Sequence, residues 1–133
     1  RNYIDIEKEN KLDKIETYYK FAKDVNNIKL KSLKKLNNIL LENKKIIGYG
    51  APAKATTVLN YFGIDDNYFQ YVLEDSEIKH NKYIPETNIQ IKSKNEINVD
   101  KYEYILVLAW NFFEAIVDNN KTKFKKSKFI KLK

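Results

Sequence analysis

The sequence predicts an α/β fold of three layers, in which helices cover both faces of a mostly parallel sheet. Between residues 44 and 133, short apolar segments typical of buried strands alternate with segments of helical period. A glycine-rich turn directly follows the first of these strands and opens a helix. We therefore expect a Rossmann-like domain over residues 44–133, preceded by a long helical region over residues 1–43 that packs on it.

Residues from about Lys11 to Asn43 predict a helix, because apolar side chains recur with the period of 3.6 residues per turn. The positions that follow this period are Ile15, Tyr18, Ala22, Val25, Leu33, Leu36 and Leu40. The more polar run Asp24–Asn27 predicts a bend between two helices. We expect this region to pack on the sheet rather than lie on a membrane.

The rest of the chain predicts strands that alternate with two short helices. The predicted strands are Lys45–Gly50, Phe69–Glu74, Thr87–Ile91, Tyr104–Leu108 and Phe129–Leu132, and the predicted helices are Ala53–Tyr61 and Asn111–Val117. Pro52 suits the first turn of a helix, where its missing N–H costs no hydrogen bond, and Gly63 suits a helix C-cap. We place the strand Ile46–Tyr49 near the centre of the sheet.

Composition excludes several kinds of site and partner. The chain has no cysteine and a single histidine, His80, so we predict neither disulfides nor a metal site. The net charge of +7 comes from lysine, with Arg1 as the sole arginine, and without arginine forks we predict no nucleic-acid partner. No apolar run approaches the ~20 residues of a membrane span. A start at Arg1 and the lack of methionine indicate a piece of a longer protein.

The segment Gly48–Ala53 matches the spacing of the dinucleotide-binding fingerprint G-x-G-x-x-G/A. At this spacing the first glycine permits a tight turn, the second lets a phosphate approach the backbone, and the small Ala53 lets the helix pack closely on the strand. The N-terminus of the next helix then offers N–H groups to an anion. Lys54 opposes the helix dipole there, which an anionic ligand would explain. An ordinary strand-to-helix turn remains the alternative.

Two further pairs of residues follow predicted strands. Glu74 and Asp75 stand where such folds place a carboxylate on ribose hydroxyls, and they equally suit a simple turn. Trp110 and Asn111 follow the Tyr104–Leu108 strand and are expected at the sheet edge that lines the ligand crevice. Asn111 also suits the N-cap of the next helix.

Three blocks of sequence, taken in order, resemble the C-terminal domain of sugar C-methyltransferases. The first contains Gly48–Lys54, Thr56, Thr57 and Leu59–Ile64, the second contains Glu74–Ser76, Lys79, Tyr83–Pro85, Thr87 and Ile89, and the third is Ala109–Asn111. Together with the preceding helix, these blocks extend the resemblance over most of the chain. They are far more specific than the glycine fingerprint alone.

The resemblance implies a domain of a larger enzyme. In that family a zinc-binding segment and a central S-adenosylmethionine domain precede this one, and the enzymes methylate a carbon of a nucleotide-linked keto-sugar, such as a dTDP-sugar. This chain is then expected to hold the sugar nucleotide, to bind no cofactor itself and to be inactive when isolated. Its expected partners are the sugar nucleotide and the upstream methyl-donor domain, in the cytoplasm.

The residues that the resemblance assigns to the sugar-nucleotide site lie at predicted strand ends, on the first short helix and in the irregular stretch after the second strand. They are Gly48, Tyr49, Gly50, Ala51, Pro52, Ala53, Lys54, Thr57, Asn60, Asp75, Lys79, Tyr83, Trp110 and Asn111. No catalytic residue is assigned. His80 is interpreted as a loop or surface residue rather than as the base that proton removal beside a keto group requires.

Two positions depart from the family pattern, and two other functions stay open. Asn81 stands near a position that is usually glycine, and Pro85–Thr87 replaces Pro-Gly-Thr, so Glu86 is expected to place a carboxylate beside the phosphate and to alter the nucleotide or its pose. The glycine turn and Asp75 also suit an NAD-type dinucleotide-binding domain of an oxidoreductase. A nonenzymatic interaction module that presents the amphipathic helix of residues 11–43 is the third candidate.

Overall fold

The sheet contains five strands, all paired in parallel. The computed structural model describes residues 2–132, and within them the strands are β1 (Ile46–Tyr49), β2 (Tyr71–Leu73), β3 (Gln90–Lys92), β4 (Tyr104–Val107) and β5 (Lys128–Ile130). Their spatial order is β3-β2-β1-β4-β5. The chain therefore builds outward from β1 in one direction and then returns to build in the other, which is the Rossmann order. The predicted central position of Ile46–Tyr49 is confirmed.

Four α-helices accompany the sheet in the described part of the chain: α1 (Tyr3–Glu9), α2 (Ile15–Leu41), α3 (Ala53–Phe62) and α4 (Phe113–Asn120). Short 3-10 turns occupy Glu77–Lys79, Val99–Lys101 and Trp110–Phe112. The predicted bend at Asp24–Asn27 is wrong, because α2 continues through it. The polar side chains there face solvent, and an i,i+4 pair joins Lys20 to Asp24 at 2.8 Å, so they cost the helix little. The helical region is interrupted earlier, at Lys11, whose φ is +55°.

Alternating side chains of the strands bury two separate apolar clusters, one on each face of the sheet. On one face Ile46, Val72 and Leu106 pack with residues of α2 and α3. On the other face Ile47 and Ile105 belong to a second cluster, which also contains Tyr49, Leu73 and Phe124 and is covered by Ile116 of α4. The strands read as continuous apolar runs because both faces are buried. The predicted three-layer arrangement is confirmed.

The turn from β1 into α3 is tight because Gly50 adopts the left-handed region, with φ of +83°. Pro52 precedes the first residue of α3, and Gly63 ends the helix with φ of +70°. The predicted C-cap at Gly63 is confirmed, since its N–H donates to the carbonyls of the last helical turn.

Only the second half of α2 is buried in the domain. Its fully buried residues are Ser32, Leu36 and Ile39. In the first half, Tyr18 and Phe21 are 53% and 67% exposed. The helix therefore reaches beyond the sheet layer that its second half covers.

Positive φ occurs at Glu86, which departs from the family pattern, and at Asn81, which stands near the other departure. Asn81 and Glu86 each have φ of +62°. The N–H of Thr87 donates to the carbonyl of Ile84 at 3.3 Å, so residues 84–87 form a β-turn with Pro85 second and Glu86 third. Proline at the second position with positive φ at the third is the type II turn, whose third residue is normally glycine. The backbone thus explains the glycine pattern, and Glu86 is exposed at the tip of this turn.

Glu86→Gly is therefore expected to stabilise the domain. The left-handed region costs a residue with a side chain about 1–2 kcal/mol, and the gain is partly offset by the greater entropy of glycine in the unfolded chain. We expect a net increase of about 1 kcal/mol in the free energy of unfolding, measured by urea titration. Asn88→Gly is the control: Asn88 also has positive φ, at +57°, but asparagine tolerates it, so a much smaller change is expected. Equal effects at both positions would contradict this explanation.

Candidate ligand site at the carboxyl edge of the sheet

A cavity of about 300 Å³ lies at the carboxyl ends of β1, β2 and β4. It coincides with the point where the strand order reverses between β1 and β4, which is where open α/β sheets bind ligands. Six residues of the predicted site line it: Tyr49, Gly50, Ala51, Pro52, Asp75 and Lys79. Glu74, Ala109, Phe112 and Ile116 complete the lining. We refer to it as the edge cavity.

The tight turn that was predicted at the first glycine of the fingerprint lies instead at the second. Gly48 lies within β1 rather than in the turn, and a Cβ there would come within 2.5 Å of the Val72 Cγ2 atom and 3.1 Å of Phe69. Glycine is required at this position because β1 packs closely against β2 and leaves no room for a side chain. Gly50 forms the turn, and a Cβ there would lie 2.9 Å from the Cβ of Ala109. The chain segment that follows β4 therefore packs directly on the turn.

The small residue that lets α3 pack closely is Ala55, not Ala53. Ala55 is 1% exposed and belongs to the apolar cluster, whereas Ala53 is exposed. The fingerprint spacing placed this role two residues too early, because Gly48 lies inside the strand and the turn begins at Gly50.

The carboxylate of Glu74 accepts the backbone N–H of Ala51, the residue that follows Gly50. The N–H of Ala51 donates to Glu74 Oε2 at 2.7 Å, and the N–H of Ser76 donates to Oε1 at 3.1 Å. Lys79 Nζ lies 3.9 Å from Oε2 and donates to the Ala51 carbonyl at 3.0 Å. Glu74 is 14% exposed at its side chain. An anion at this turn would thus meet a carboxylate that already accepts the Ala51 N–H.

Asp75 belongs to a charged network across the ends of three strands. Tyr49 donates its hydroxyl to Asp75 at 2.9 Å, and Lys94 Nζ lies 2.8 Å from the carboxylate and 3.1 Å from the Tyr49 oxygen. Burial alone raises the pKa of Asp75, but hydrogen bonds from Lys94 and Tyr49 outweigh it and lower the pKa. Burial lowers the pKa of Lys94, yet the hydrogen bonds and charges of Asp75 and Tyr49 together outweigh it and raise the pKa. Both groups are therefore held in their charged forms.

Lys94 was not among the site residues predicted from the sequence. It lies two residues beyond β3, so it reaches the same sheet edge as Asp75. The predicted strand, 87–91, ended one residue before β3 does, and the side chains that follow Lys92 were not considered as edge residues. A correct strand end would have identified Lys94 as a candidate.

A larger groove of about 720 Å³ lies beside the edge cavity, between the first half of α2, the outer face of α3 and the chain after β5. Its aromatic lining is Phe21, Tyr61, Phe62 and Trp110, with Ala22, Val25, Ile28, Val58 and Leu132 as aliphatic neighbours. Thr57 and Lys131 are its polar lining residues. We call it the α2–α3 groove. Two predicted site residues, Thr57 and Trp110, thus belong to this groove and not to the edge cavity.

Lys54 contacts Trp110, one of the residues that line the α2–α3 groove. Its Nζ is 4.3 Å from the ring centroid of Trp110, while Ala109 and Phe112 line the edge cavity on either side of that tryptophan in sequence. This cation–π contact is worth about 0.5–1 kcal/mol and gives Lys54 a structural partner despite the helix dipole.

The remaining predicted residues lie outside both cavities. Asn60 donates to the carbonyls of Thr56 and Pro85 at 2.8 and 3.1 Å, which ties α3 to the type II turn. Tyr83 is 57% exposed. Asn111 lies within the 3-10 turn Trp110–Phe112, so the predicted N-cap is wrong, because that turn delays the start of α4 to Phe113.

His80 follows the 3-10 turn at the edge of the sheet and is half-buried. Its Nε2 lies 2.6 Å from the Glu74 carbonyl oxygen, so the ring closes the loop that follows β2. Among residues 2–132, no three side chains of metal-binding type come together. None of the helices in that range combines the length and apolar character that crossing a bilayer requires.

Comparison with known proteins agrees with the resemblance stated for the sequence. The family model for the C-methyltransferase C-terminal domain matches residues 1–132. C-methyltransferase NovU of Streptomyces niveus is 27% identical over 104 residues, which are 78% of this chain and 25% of that protein. The chain thus spans about a quarter of the length of the relative it matches. Because the family model covers the helical region and every strand of the sheet, this chain belongs to the family of C-methyltransferase C-terminal domains.

Proposed function

We propose that this chain is the nucleotide-sugar-binding domain of an S-adenosylmethionine-dependent sugar C-methyltransferase of the cytoplasm. The observation that best supports the proposal is the edge cavity. It lies at the reversal of strand order, and six residues assigned by resemblance to the sugar-nucleotide site line it. Family membership supports a methyltransferase as the whole enzyme. The methyl donor then binds elsewhere in that enzyme, and the isolated domain only holds the acceptor, such as a dTDP-sugar.

The charged network at Asp75 argues against the dinucleotide alternative. NAD-type domains leave the carboxylate after the second strand available to the ribose hydroxyls. Here Asp75 is already bound by Lys94 and by the Tyr49 hydroxyl, at 2.8 and 2.9 Å. A ribose would have to compete with a charged ammonium group for this carboxylate.

A thermal-shift panel tests the ligand class. We expect dTDP, UDP or their sugar conjugates to raise the melting temperature more than NAD or S-adenosylmethionine does. A ligand at about 100 times its Kd adds roughly 2.7 kcal/mol, which is several degrees for a domain of this size. Preferential stabilisation by NAD would favour the oxidoreductase. Preferential stabilisation by S-adenosylmethionine would place the methyl donor on this domain and contradict the proposal.

Lys54→Ala is expected to weaken binding of the best nucleotide ligand about tenfold or more, because a charge-assisted hydrogen bond to an anion is worth roughly 1.5–3 kcal/mol. The melting temperature should change little, since loss of the Trp110 contact is offset by the higher helix propensity of alanine and by relief of the dipole contact. Isothermal calorimetry measures the affinity. Lys54→Arg, which keeps the charge, should retain most of it, as should Lys125→Ala at an exposed lysine of another loop. An unchanged affinity in Lys54→Ala would remove this residue from the site.

A further inference from the structure

The α2–α3 groove has the size and lining of a small-molecule site. Its volume of about 720 Å³ lies within the range of roughly 300–1,000 Å³ that is usual for such sites. Its lining includes the rings of Phe21 from α2, Tyr61 from α3 and Trp110. Flat apolar groups stack favourably on such rings. The shape and lining therefore favour a ligand with a planar ring.

Lysine side chains surround this aromatic lining. Lys54 Nζ lies 4.3 Å from the Trp110 ring centroid, and Lys29 Nζ lies 5.2 Å from that of Tyr61. Lys131 lines the groove itself. The lining within residues 2–132 contains no Asp or Glu to neutralise them. An anion near this groove would gain Coulomb energy from several ammonium groups at once.

Neighbouring residues of the chain line the groove and the edge cavity. Trp110 lines the groove, its neighbour Ala109 lines the edge cavity, and Lys54 Nζ lies over the Trp110 ring. A ligand with a ring at one end, an anionic middle and a polar group at the other end fits this order. Nucleotide-linked sugars have that construction.

We propose that the α2–α3 groove binds the ring-bearing half of an anionic ligand and that Lys54 and Lys131 bind its anionic part. The inference rests on the proposed function for the identity of the ring, which is then the nucleobase of the sugar nucleotide. The sugar enters the edge cavity on the other side of Trp110. The first half of α2 is thereby a wall of the ligand site, contributed by Phe21 and Ala22.

Trp110 makes the proposal directly measurable, because it is the only tryptophan of the chain and lines the groove. Titration with dTDP should change its fluorescence in a saturable manner. Thymidine, which has the ring without the anionic part, should produce the change at higher concentration. Ala22→Phe, which fills the groove without adding a tryptophan, should weaken dTDP binding about tenfold or more, which corresponds to ~1.4 kcal/mol. Lys131→Ala should weaken it by a similar factor.

Matched variants separate the groove from the rest of the surface. Leu30→Phe adds a ring at a 57% exposed position of α2 outside the groove, and Lys125→Ala removes an exposed charge elsewhere. Both should bind dTDP as the parent chain does. Melting curves establish that Ala22→Phe remains folded, which is expected because Ala22 is exposed and belongs to neither apolar cluster.

The outcomes distinguish this inference from the proposed function. If calorimetry shows that dTDP binds Ala22→Phe and the parent chain with equal affinity, the groove is not the ring site, while the proposed function stands. If neither dTDP nor UDP binds the parent chain, the proposed function fails. The anionic aromatic dye anilinonaphthalene sulfonate then decides the inference alone: weaker binding to Ala22→Phe but not to Leu30→Phe supports a ring-binding groove, and equal binding to all three chains overturns it.

Discussion

Replacing Gly50 by alanine is expected to lower the free energy of unfolding by about 3 kcal/mol. Gly50 has φ of +83°, where a side chain costs about 1–2 kcal/mol. The new Cβ would also lie 2.9 Å from the Cβ of Ala109, and crowding of this kind costs about 1–3 kcal/mol more. For a chain of this size the melting temperature should fall by roughly 10 °C. Gly50→Val should be worse, since β-branched residues are true outliers at positive φ.

Gly63→Ala is the matched control for this prediction. Gly63 also has positive φ, at +70°, but no atom lies within 4 Å of an added Cβ. It should therefore lose only about 1 kcal/mol, which reports the backbone cost without the crowding. Adding Ala109→Gly to Gly50→Ala should recover part of the difference. Equal losses at Gly50 and Gly63, measured by urea titration, would show that contact with Ala109 is unimportant.

Replacing Gly48 by alanine is expected to cost about 2 kcal/mol, although φ at this position lies outside the left-handed region. The added Cβ would lie 2.5 Å from Val72 Cγ2 within the buried centre of the sheet. Overpacking there must exceed the roughly 0.5–1 kcal/mol that alanine gains over glycine in a strand. Differential scanning calorimetry of the variant tests the sign, because an unconstrained strand glycine would give stabilisation instead.

A double-mutant cycle with Val72→Ala isolates the cause at Gly48. Removing the Cγ atoms of Val72 destabilises the parent chain by leaving a cavity, but it also frees the space that the new Cβ requires. The free energy of unfolding lost by the double variant should thus be smaller than the sum of the two single losses. The expected difference is at least about 1 kcal/mol. Strict additivity would mean that the crowding arises elsewhere. The contact with Phe69 at 3.1 Å remains, so full recovery is not expected.

The fold was predictable because the pattern of apolar residues in the sequence distinguishes its strands from its helices. Strands buried on both faces, such as Tyr104–Val107, appear in the sequence as continuous apolar runs. A glycine after an apolar helical segment indicates a C-cap, and Gly63 ends α3 in this way. The errors concern positions where long-range contacts decide local structure. The run Asp24–Asn27 looks polar enough to bend a helix, yet in α2 its polar side chains simply face solvent. The 3-10 turn before α4 had no clear signal in the sequence.

The candidate site was predictable only in part, for a similar reason. Residues of the glycine turn lie at the edge cavity because the turn is a local feature of the chain. The partners of that turn come from distant segments: Glu74 meets Ala51 across 23 positions, and Lys94 meets Tyr49 across 45. Their pairing depends on strand register, which a single sequence does not specify. For the same reason Thr57 and Trp110, placed in one site with the turn, lie in a neighbouring groove.

The extension of α2 beyond the sheet makes the α2–α3 groove subject to a helix–coil equilibrium. The helix has 27 residues and is ~40 Å long, but its fully buried residues begin only at Ser32. A peptide as short as its first half is marginally helical in water, so tertiary contacts must supply the rest of its stability. Whenever that half frays, Phe21 and Val25 leave the groove. The apparent Kd of a ligand in the proposed groove site would then equal the intrinsic Kd divided by the helical fraction, and a protein surface that kept this half helical by covering Tyr18 and Tyr19 would strengthen ligand binding without touching the ligand.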